Sequence, residues 1–504
     1  MTAPNILMIL VDEMRADALG CFGNKLGATP SLDRLAEGGV HFSQCMVPQP
    51  TCTPCRASLL TGCYPSALRS RMVGCRTPDD PRFLPRILGD AGYRTASVGK
   101  IHLVPQVEEP RAVEAARAGK GRCDYYGFQH VELVNGHGDR CFGPEYTAWL
   151  RQRVPDFAER RDKREALCSV PGCYRWPLPP EVHSSRYIAD RASAYLRDAA
   201  GHDAPFFLHC SFPDPHHPFT VPEPYDTLFA PEDMEEPSMP ITESTNPPHA
   251  GVECYRNTDA SGDRIIGTPP CDYERFTAQD WKIVRAVTAG MNKQLDDCIG
   301  GLLAVLDQTG LAGNTIVVFA SDHGDYLGDY GLLGKGLHYD CVLRTPLLMS
   351  GPGIPVSHRV DAMASLVDVV PTLLECAGLK EPEGMHGHSM LPGMTDESKW
   401  LRDAAMTEND DDMAGLRMRT LTTREWKLTT YAGDAFGELY NRLEDPGERD
   451  NLWNDTSCSD VQQQLTARLL DHMLCAVDGS NGRVQKPVPG VVKHRPIMLG
   501  EVPM

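Results

Sequence analysis

The sequence predicts an α/β fold: a large, mainly parallel sheet sandwiched by helices, with a smaller C-terminal domain made of an antiparallel sheet and a helix. Three observations predict it. Five short apolar runs are bounded by polar or turn residues, helix-like stretches lie between them, and the pattern changes near Thr395.

The apolar runs are Ile6 to Val11, Thr95 to Val98, Phe206 to Ser211, Thr315 to Ala320 and Pro346 to Met349. Each suits a strand buried on both faces, because the apolar character is continuous rather than alternating. Helical patterning covers Pro30 to Gly38, Phe83 to Ala91, Ser185 to Ala199, Trp281 to Thr309 and Leu366 to Ala377. Strand and helix in alternation imply parallel crossovers, and ligands of such folds gather at the carboxyl ends of the strands. Asp12 and Asp322 stand just past apolar runs, where that rule puts a site.

Past Thr395, the segments Arg417 to Thr423, Trp426 to Tyr431 and Glu438 to Asn441 read as antiparallel strands, with a helix over Ser459 to Val477. The expected division is 1–394 and 395–504, the last stretch after Asn481 being extended. Gln152 to Leu167 mixes both charge signs and reads as a solvated helical face. Ala230 to Arg275 is long, Pro-rich and acidic, and with Gln106 to Pro180 is expected to shape a substrate pocket.

At 504 residues with 41% hydrophobic content, the chain can bury a large core. A net charge of −19, from 68 acidic against 49 basic residues, argues against nucleic acid and anionic membrane as bulk partners. No stretch is long and apolar enough to span a bilayer. Ile6 to Val11 lacks a basic leader and a cleavage site, so it reads as a core strand and the expected compartment is the cytoplasm, with the 18 cysteines reduced.

The most informative stretch is Cys52-Thr53-Pro54-Cys55-Arg56, followed by Ala-Ser-Leu-Leu-Thr-Gly. On its own, Cys52 with Cys55 fits a dithiol redox pair, half a zinc site, or two buried small residues. Two carboxylates, Asp12 and Asp322, with His323 could hold a divalent cation, oxygen ligands favouring calcium or magnesium. Singly, each has an ordinary alternative as a turn residue, helix cap or core histidine.

The C-x-P-x-R pattern at Cys52 and Arg56 resembles the sulfatase signature, and further segments resemble that family in order along nearly the whole chain. They are Asn5 to Asp12 with Arg15 and Asp17, Thr29 to Ala36, Gly99-Lys100-Ile101-His102, Pro215-His216-His217-Pro218, Asp322-His323-Gly324 to Gly334-Lys335-Gly336, and Glu438-Leu439-Tyr440 to Asn451-Leu452. The resemblance implies the alkaline-phosphatase-like fold and a sulfuric ester hydrolase acting on a sugar, aryl or alkyl sulfate. It also implies that Cys52 becomes 3-oxoalanine (formylglycine) through a formylglycine-generating maturation enzyme. The hydrate of that aldehyde is the nucleophile.

By the same resemblance Asp12, Glu13, Cys52, Asp322 and His323 are the metal ligands, for Ca2+ or else Mg2+ or Mn2+. The family more often has Asp where Glu13 stands. Arg56, Lys100 and Lys335 neutralise charge on the nucleophile and the sulfate. His102 takes the diol proton, and His216 or Lys335 protonates the leaving oxygen. His216 fits the register better than His217, which is expected to point away. His338 is expected either to face substrate or to be structural. Cys55 stands where Ser or Ala is commoner, and Arg69 to Arg76 matches poorly. Two alternatives are a phosphonate monoester or phosphodiester hydrolase using the same nucleophile, and a non-catalytic thiol/disulfide protein using Cys52 and Cys55. A small sulfated substrate is the expected partner, with homo-oligomerisation left open.

Overall fold

The computed structural model describes residues 3–118, 123–238, 276–411 and 415–476. Most of the expected pocket segment, residues 239–275, and the expected extended tail lie outside the described residues.

Ten strands form in the first 365 residues: β1 Asn5–Asp12, β2 Gly39–Met46, β3 Arg94–Gly99, β4 His130–Leu133, β5 Cys173–Arg175, β6 Phe206–Pro215, β7 Phe219–Val221, β8 Thr315–Ser321, β9 Leu347–Ser350 and β10 His358–Ser365. Eight of them make one sheet in the order β10-β2-β9-β8-β1-β6-β3-β4. All neighbours run parallel except β9, which is antiparallel to β2 and β8. The expected mainly parallel sheet is therefore present, with β2, β4 and β10 added to the five strands legible as apolar runs.

The continuous apolar run of β1 has a direct cause. Ile6, Met8 and Leu10 enter one buried layer and Leu7, Ile9 and Val11 the other, so neither face can be polar. The helix Ala278–Gln308 covers the second layer through Leu295, Ile299, Leu302 and Leu306. Thr277 and Asp280 form a reciprocal capping box at its start. Further along, its Asp296 carboxylate accepts from the Ser31 and Leu32 backbone N–H groups at 2.9 Å, capping the helix Pro30–Glu37 from outside. The charged stretch from Gln152 splits between the helices Pro144–Arg153 and Phe157–Asp162, with exposed Asp156–Arg160 and Glu159–Lys163 pairs.

A second sheet is antiparallel, in the order β11 Ala404–Asp411, β12 Leu416–Thr423, β13 Trp426–Tyr431, β14 Gly437–Asn441. The helix Ser459–Cys475 covers one face through Leu465 and Leu469. The other face, through Met418, Tyr431 and Tyr440, packs on Tyr326, Tyr330 and Tyr339 of the large domain. His338 is part of this seam: its Nδ1 is 2.6 Å from Thr420 Oγ1 and it is fully buried, a structural placement. Among the described residues no helix is long and apolar enough to cross a membrane.

Candidate active site

Four parallel strands of the large sheet end on one patch. β1 ends at Asp12, β3 at Gly99 before Lys100, β6 at Pro215 before His216, and β8 at Ser321 before Asp322 and His323. Cys52 opens the helix Cys52–Thr61, every residue of which is buried. Pro54 sits in its first turn, where an N–H would have no helical partner.

Gly99 is required by this geometry. Its φ is +104°, and a Cβ there would lie 1.8 Å from the Ser211 carbonyl oxygen of β6. That close approach lets the Lys100 N–H donate to the same oxygen at 2.9 Å, turning the lysine inward.

The Cys52 Sγ lies 3.6 Å from Asp12 Oδ1 and 3.3 Å from His323 Nε2. His323 Nε2 is in turn 3.7 Å from Asp12 Oδ1 and 3.6 Å from Asp322 Oδ1. These four donors all lie within 4.8 Å of one another. That is the spacing of ligands sharing one cation about 2.0–2.6 Å away, and two buried carboxylates with an imidazole form a suitable donor set.

Arg56 is completely buried beside this group. Its Nε donates to Asp322 Oδ2 at 2.6 Å, its Nη1 to the Lys100 carbonyl at 3.0 Å and to Ser211 Oγ at 2.9 Å, and its Nη2 lies 3.4 Å from Asp12 Oδ2. Lys100 Nζ pairs with Asp12 Oδ2. Burial works to raise the Asp12 carboxyl, but Lys100 and Arg56 outweigh it and hold it well below the usual range. Burial works to lower the His323 imidazole, and Asp322 reverses this, bringing it up to about 9.

Glu13 departs from its expected place. Its N–H donates to Asp322 Oδ1 at 3.2 Å, but a φ of 69° turns its side chain away from the four donors. The carboxylate lies 3.2 Å from His216 Nε2, 3.3 Å from His217 Nδ1 and 3.2 Å from Lys335 Nζ. Burial pushes this carboxyl up, yet Lys335 and His217 hold it down at about 2. His217 thus points toward the site rather than away from it. Burial depresses the Lys335 ammonium, but Cys52, Glu13 and Asp12 raise it above its usual value.

His102 is buried next to Lys100 in a left-handed conformation, φ 58°. Glu109 fixes that turn, its carboxylate accepting from the His102 N–H at 3.1 Å, the Leu103 N–H at 3.2 Å and the Tyr125 hydroxyl at 2.8 Å. Burial, then Lys100 and Arg56, hold the His102 imidazole well below its usual value.

One site histidine was not anticipated. His137 Nε2 accepts from Lys100 Nζ at 2.7 Å, and its ring stacks on His216 with centroids 3.6 Å apart and 7° between planes. Because Lys335 Nζ donates to His216 Nε2 at 2.6 Å, two Lys–His pairs lie side by side. Burial and Lys100 hold His137 down to about 3, so it is neutral. Its side chain, 19% exposed, is the part of this cluster nearest solvent. A glycine-flanked histidine in a loop carries no recognisable motif; the Asn135–Phe142 bridge and the tight fit of Gly138 against Thr220 put it in place.

Comparison with known proteins agrees with this construction. The sulfatase family model matches residues 4–379, and the model described as N-sulphoglucosamine sulphohydrolase, C-terminal, matches residues 328–474. The multifunctional alkaline phosphatase superfamily protein PehA of Trinickia caryophylli is 32% identical over 411 residues, 78% of this chain and 77% of that protein. An arylsulfatase of Clostridium perfringens is 27% identical over 469 residues, 90% of each chain. Among solved structures, a phosphonate monoester hydrolase of Agrobacterium radiobacter aligns with a TM-score of 0.78 at 26% identity, over 94% of this chain and 96% of that one. The chain belongs to the sulfatase family, of the alkaline-phosphatase-like superfamily, and is a sulfuric ester hydrolase.

Proposed function

We propose that the chain cleaves the sulfate monoester of a sugar, aryl or alkyl alcohol with a formylglycine derived from Cys52. The carrying observation is that Cys52 Sγ faces Asp12 and His323 inside a buried, cation-rich cluster while Cys55, three residues on, sits in the apolar core. Burial pushes the Cys55 thiol well up, which disfavours a working dithiol pair.

Asp12, Cys52, Asp322 and His323 would hold the divalent cation, Ca2+ or else Mg2+ or Mn2+. Once bound, the cation supplies Lewis acidity and the formylglycine an oxygen nucleophile with a route to expel sulfate. Arg56 keeps both ligand carboxylates in place through its fixed fork. Lys100, bonded to His137, and Lys335, bonded to the stacked His216, neutralise the sulfate oxygens. Neutral His102 is the acceptor for the proton released at position 52. His216 accepts from Lys335, and this pair, His216 or Lys335, is the proton source for the leaving oxygen.

Peptide mass analysis around Cys52, after co-expression with a formylglycine-generating enzyme, tests the reading. The expected product has lost sulfur and two hydrogens and gained one oxygen, and nitrophenyl sulfate is turned over. An unmodified thiol without sulfatase activity, or a Cys52→Ala variant with full activity, would defeat it.

The likeness to a phosphonate monoester hydrolase carries a second reading, since sulfate and phosphonate esters share a tetrahedral anionic centre. Rates on nitrophenyl sulfate against a phenyl phosphonate ester separate the two.

A further inference from the structure

Away from the strand ends, Glu165 to Arg175 closes a short hairpin. Ala166 bridges Tyr174, the Leu167 N–H donates to the Cys173 carbonyl at 3.0 Å, and the Arg175 N–H donates to the Glu165 carbonyl at 2.9 Å. The turn Ser169-Val170-Pro171-Gly172 joins the two sides, and the Cys173 N–H donates back to the Val170 carbonyl at 3.3 Å. Both ends are held. Arg175 pairs with Glu165 at 2.8 Å across the base. At the tip, Ser169 donates from its N–H at 3.2 Å and its hydroxyl at 2.6 Å to Asp280, in the first turn of the helix Ala278–Gln308.

This fixed turn carries two free thiols, Cys168 and Cys173. They pack in one apolar cluster with Phe219 and Trp281, and the Cys173 S–H donates to the Cys168 sulfur. Cys173 is fully enclosed, whereas Cys168 is half-buried. The bond between them pulls the Cys168 thiol below its usual value against its burial, and the same bond, aided by burial, holds Cys173 well up. A reachable thiol that ionises readily, beside a sheltered one that does not, matches the division between an attacking and a resolving cysteine.

We propose that Cys168 and Cys173 form a reversible disulfide, with Cys168 attacking a small disulfide oxidant of the glutathione type. The Cys168 thiolate attacks one sulfur of the oxidant, giving a mixed disulfide and releasing one glutathione, which takes up the proton Cys168 has lost. The Cys173 sulfur then gives up its proton, attacks the Cys168 sulfur and expels the second glutathione, which takes that proton. Two thiols lose two electrons and two protons, and one oxidant becomes two thiols. A turn pinned at both ends, with its thiols already in contact, closes this way with little rearrangement. The bond draws the turn tight beside Pro218, whose Cα lies 3.5 Å from where a Gly172 Cβ would stand. Oxidation therefore acts on the wall behind His216 and His217 rather than at position 52, whichever ester is cleaved.

Trypsin makes the site readable, because cutting after Arg164 and Arg175 releases one peptide, Glu165 to Arg175, that holds both cysteines. The folded full-length enzyme is incubated with glutathione disulfide, its remaining thiols are alkylated, and the digest is weighed by mass spectrometry. The peptide should carry no alkyl group and be two hydrogens lighter than its reduced form, and dithiothreitol before alkylation should restore two alkylation sites. Cys173→Ser should stop at the mixed disulfide, with one glutathione on Cys168, and Cys168→Ser should leave Cys173 free of glutathione. Both variants, when reduced, should keep the parent's melting curve and its turnover of nitrophenyl sulfate; the parent digest alone decides the site if either melts early. A doubly alkylated parent peptide, under conditions that modify the exposed Cys75 and Cys475, overturns the site. So does Cys168 joined to Cys254 or Cys271 instead, or glutathione persisting on Cys168 of the parent. Glutathione on Cys173 of Cys168→Ser would overturn the assigned order of attack.

Discussion

Arg56→Met tests the electrostatic logic of the site most directly. The guanidinium holds Asp322 Oδ2, approaches Asp12 Oδ2, and donates to the Lys100 carbonyl and Ser211 Oγ, with no exposure to solvent. Methionine of similar length fills the volume but leaves Asp12 compensated by Lys100 and Asp322 by His323 at 3.6 Å alone. Removing one partner from a buried charge group costs about 3–5 kcal/mol. Arg56→Lys keeps the charge but cannot span Asp322, the Lys100 carbonyl and Ser211 together; with two buried hydrogen bonds lost at about 1 kcal/mol each, it should cost about 2 kcal/mol. Turnover should fall about 10²- to 10³-fold in the methionine variant, as when a fixed donor to developing charge is lost. Urea midpoints at matched incubation times and kcat on nitrophenyl sulfate provide the readouts. A methionine variant as stable and active as the parent would refute the claim that Arg56 balances the two carboxylates.

Other perturbations bear on the fold and the ion. Gly99→Ala should prevent correct closure of β3 on β6, because its Cβ would meet the Ser211 oxygen at 1.8 Å; soluble yield and circular dichroism report it. Chelation of the purified enzyme should abolish turnover and lower the melting temperature, both restored by adding the divalent cation back, since Asp12, Asp322 and His323 are left facing one another. Glu438 is fully buried and burial, against Lys427, pushes its carboxyl up to about 7. A carboxyl raised on folding contributes stability that is present below pH 4.5 and lost as pH rises to about 7, on the order of 3 kcal/mol. Glu438→Gln should flatten that dependence, so denaturation midpoints compared at pH 4.5 and 8 should differ less than in the parent.

The central strands were legible because burial on both faces leaves an unbroken apolar signature, as in Ile6 to Val11. β2, Gly-Val-His-Phe-Ser-Gln-Cys-Met, was not: its polar residues are tolerated because Gln44 accepts from Arg442 and Ser43 donates to Asp361, neither partner being near in sequence. β10 sits at the sheet edge, where exposed Arg359 and Asp361 and half-buried His358 break the apolar pattern. Residues carried by motifs, from Cys52 to Lys335, converge where strand ends meet. What motifs could not convey was side-chain direction and loop closure. Glu13 swings to the histidines through its left-handed backbone, and His137 arrives by a loop whose shape depends on glycine contacts with Thr220 and Arg140.

The burial of Cys52 also sets an order of events during synthesis. With the side chain 2% exposed and walled in by Asp12 and His323, no second enzyme can grip position 52 in the finished protein. The formylglycine conversion proposed above would therefore have to reach the thiol before residues 315–323 dock against it. Under that proposal, a chain that closes these segments first would keep an unmodified thiol, so the fraction of competent enzyme would follow the order of docking and conversion, not the affinity of a later encounter.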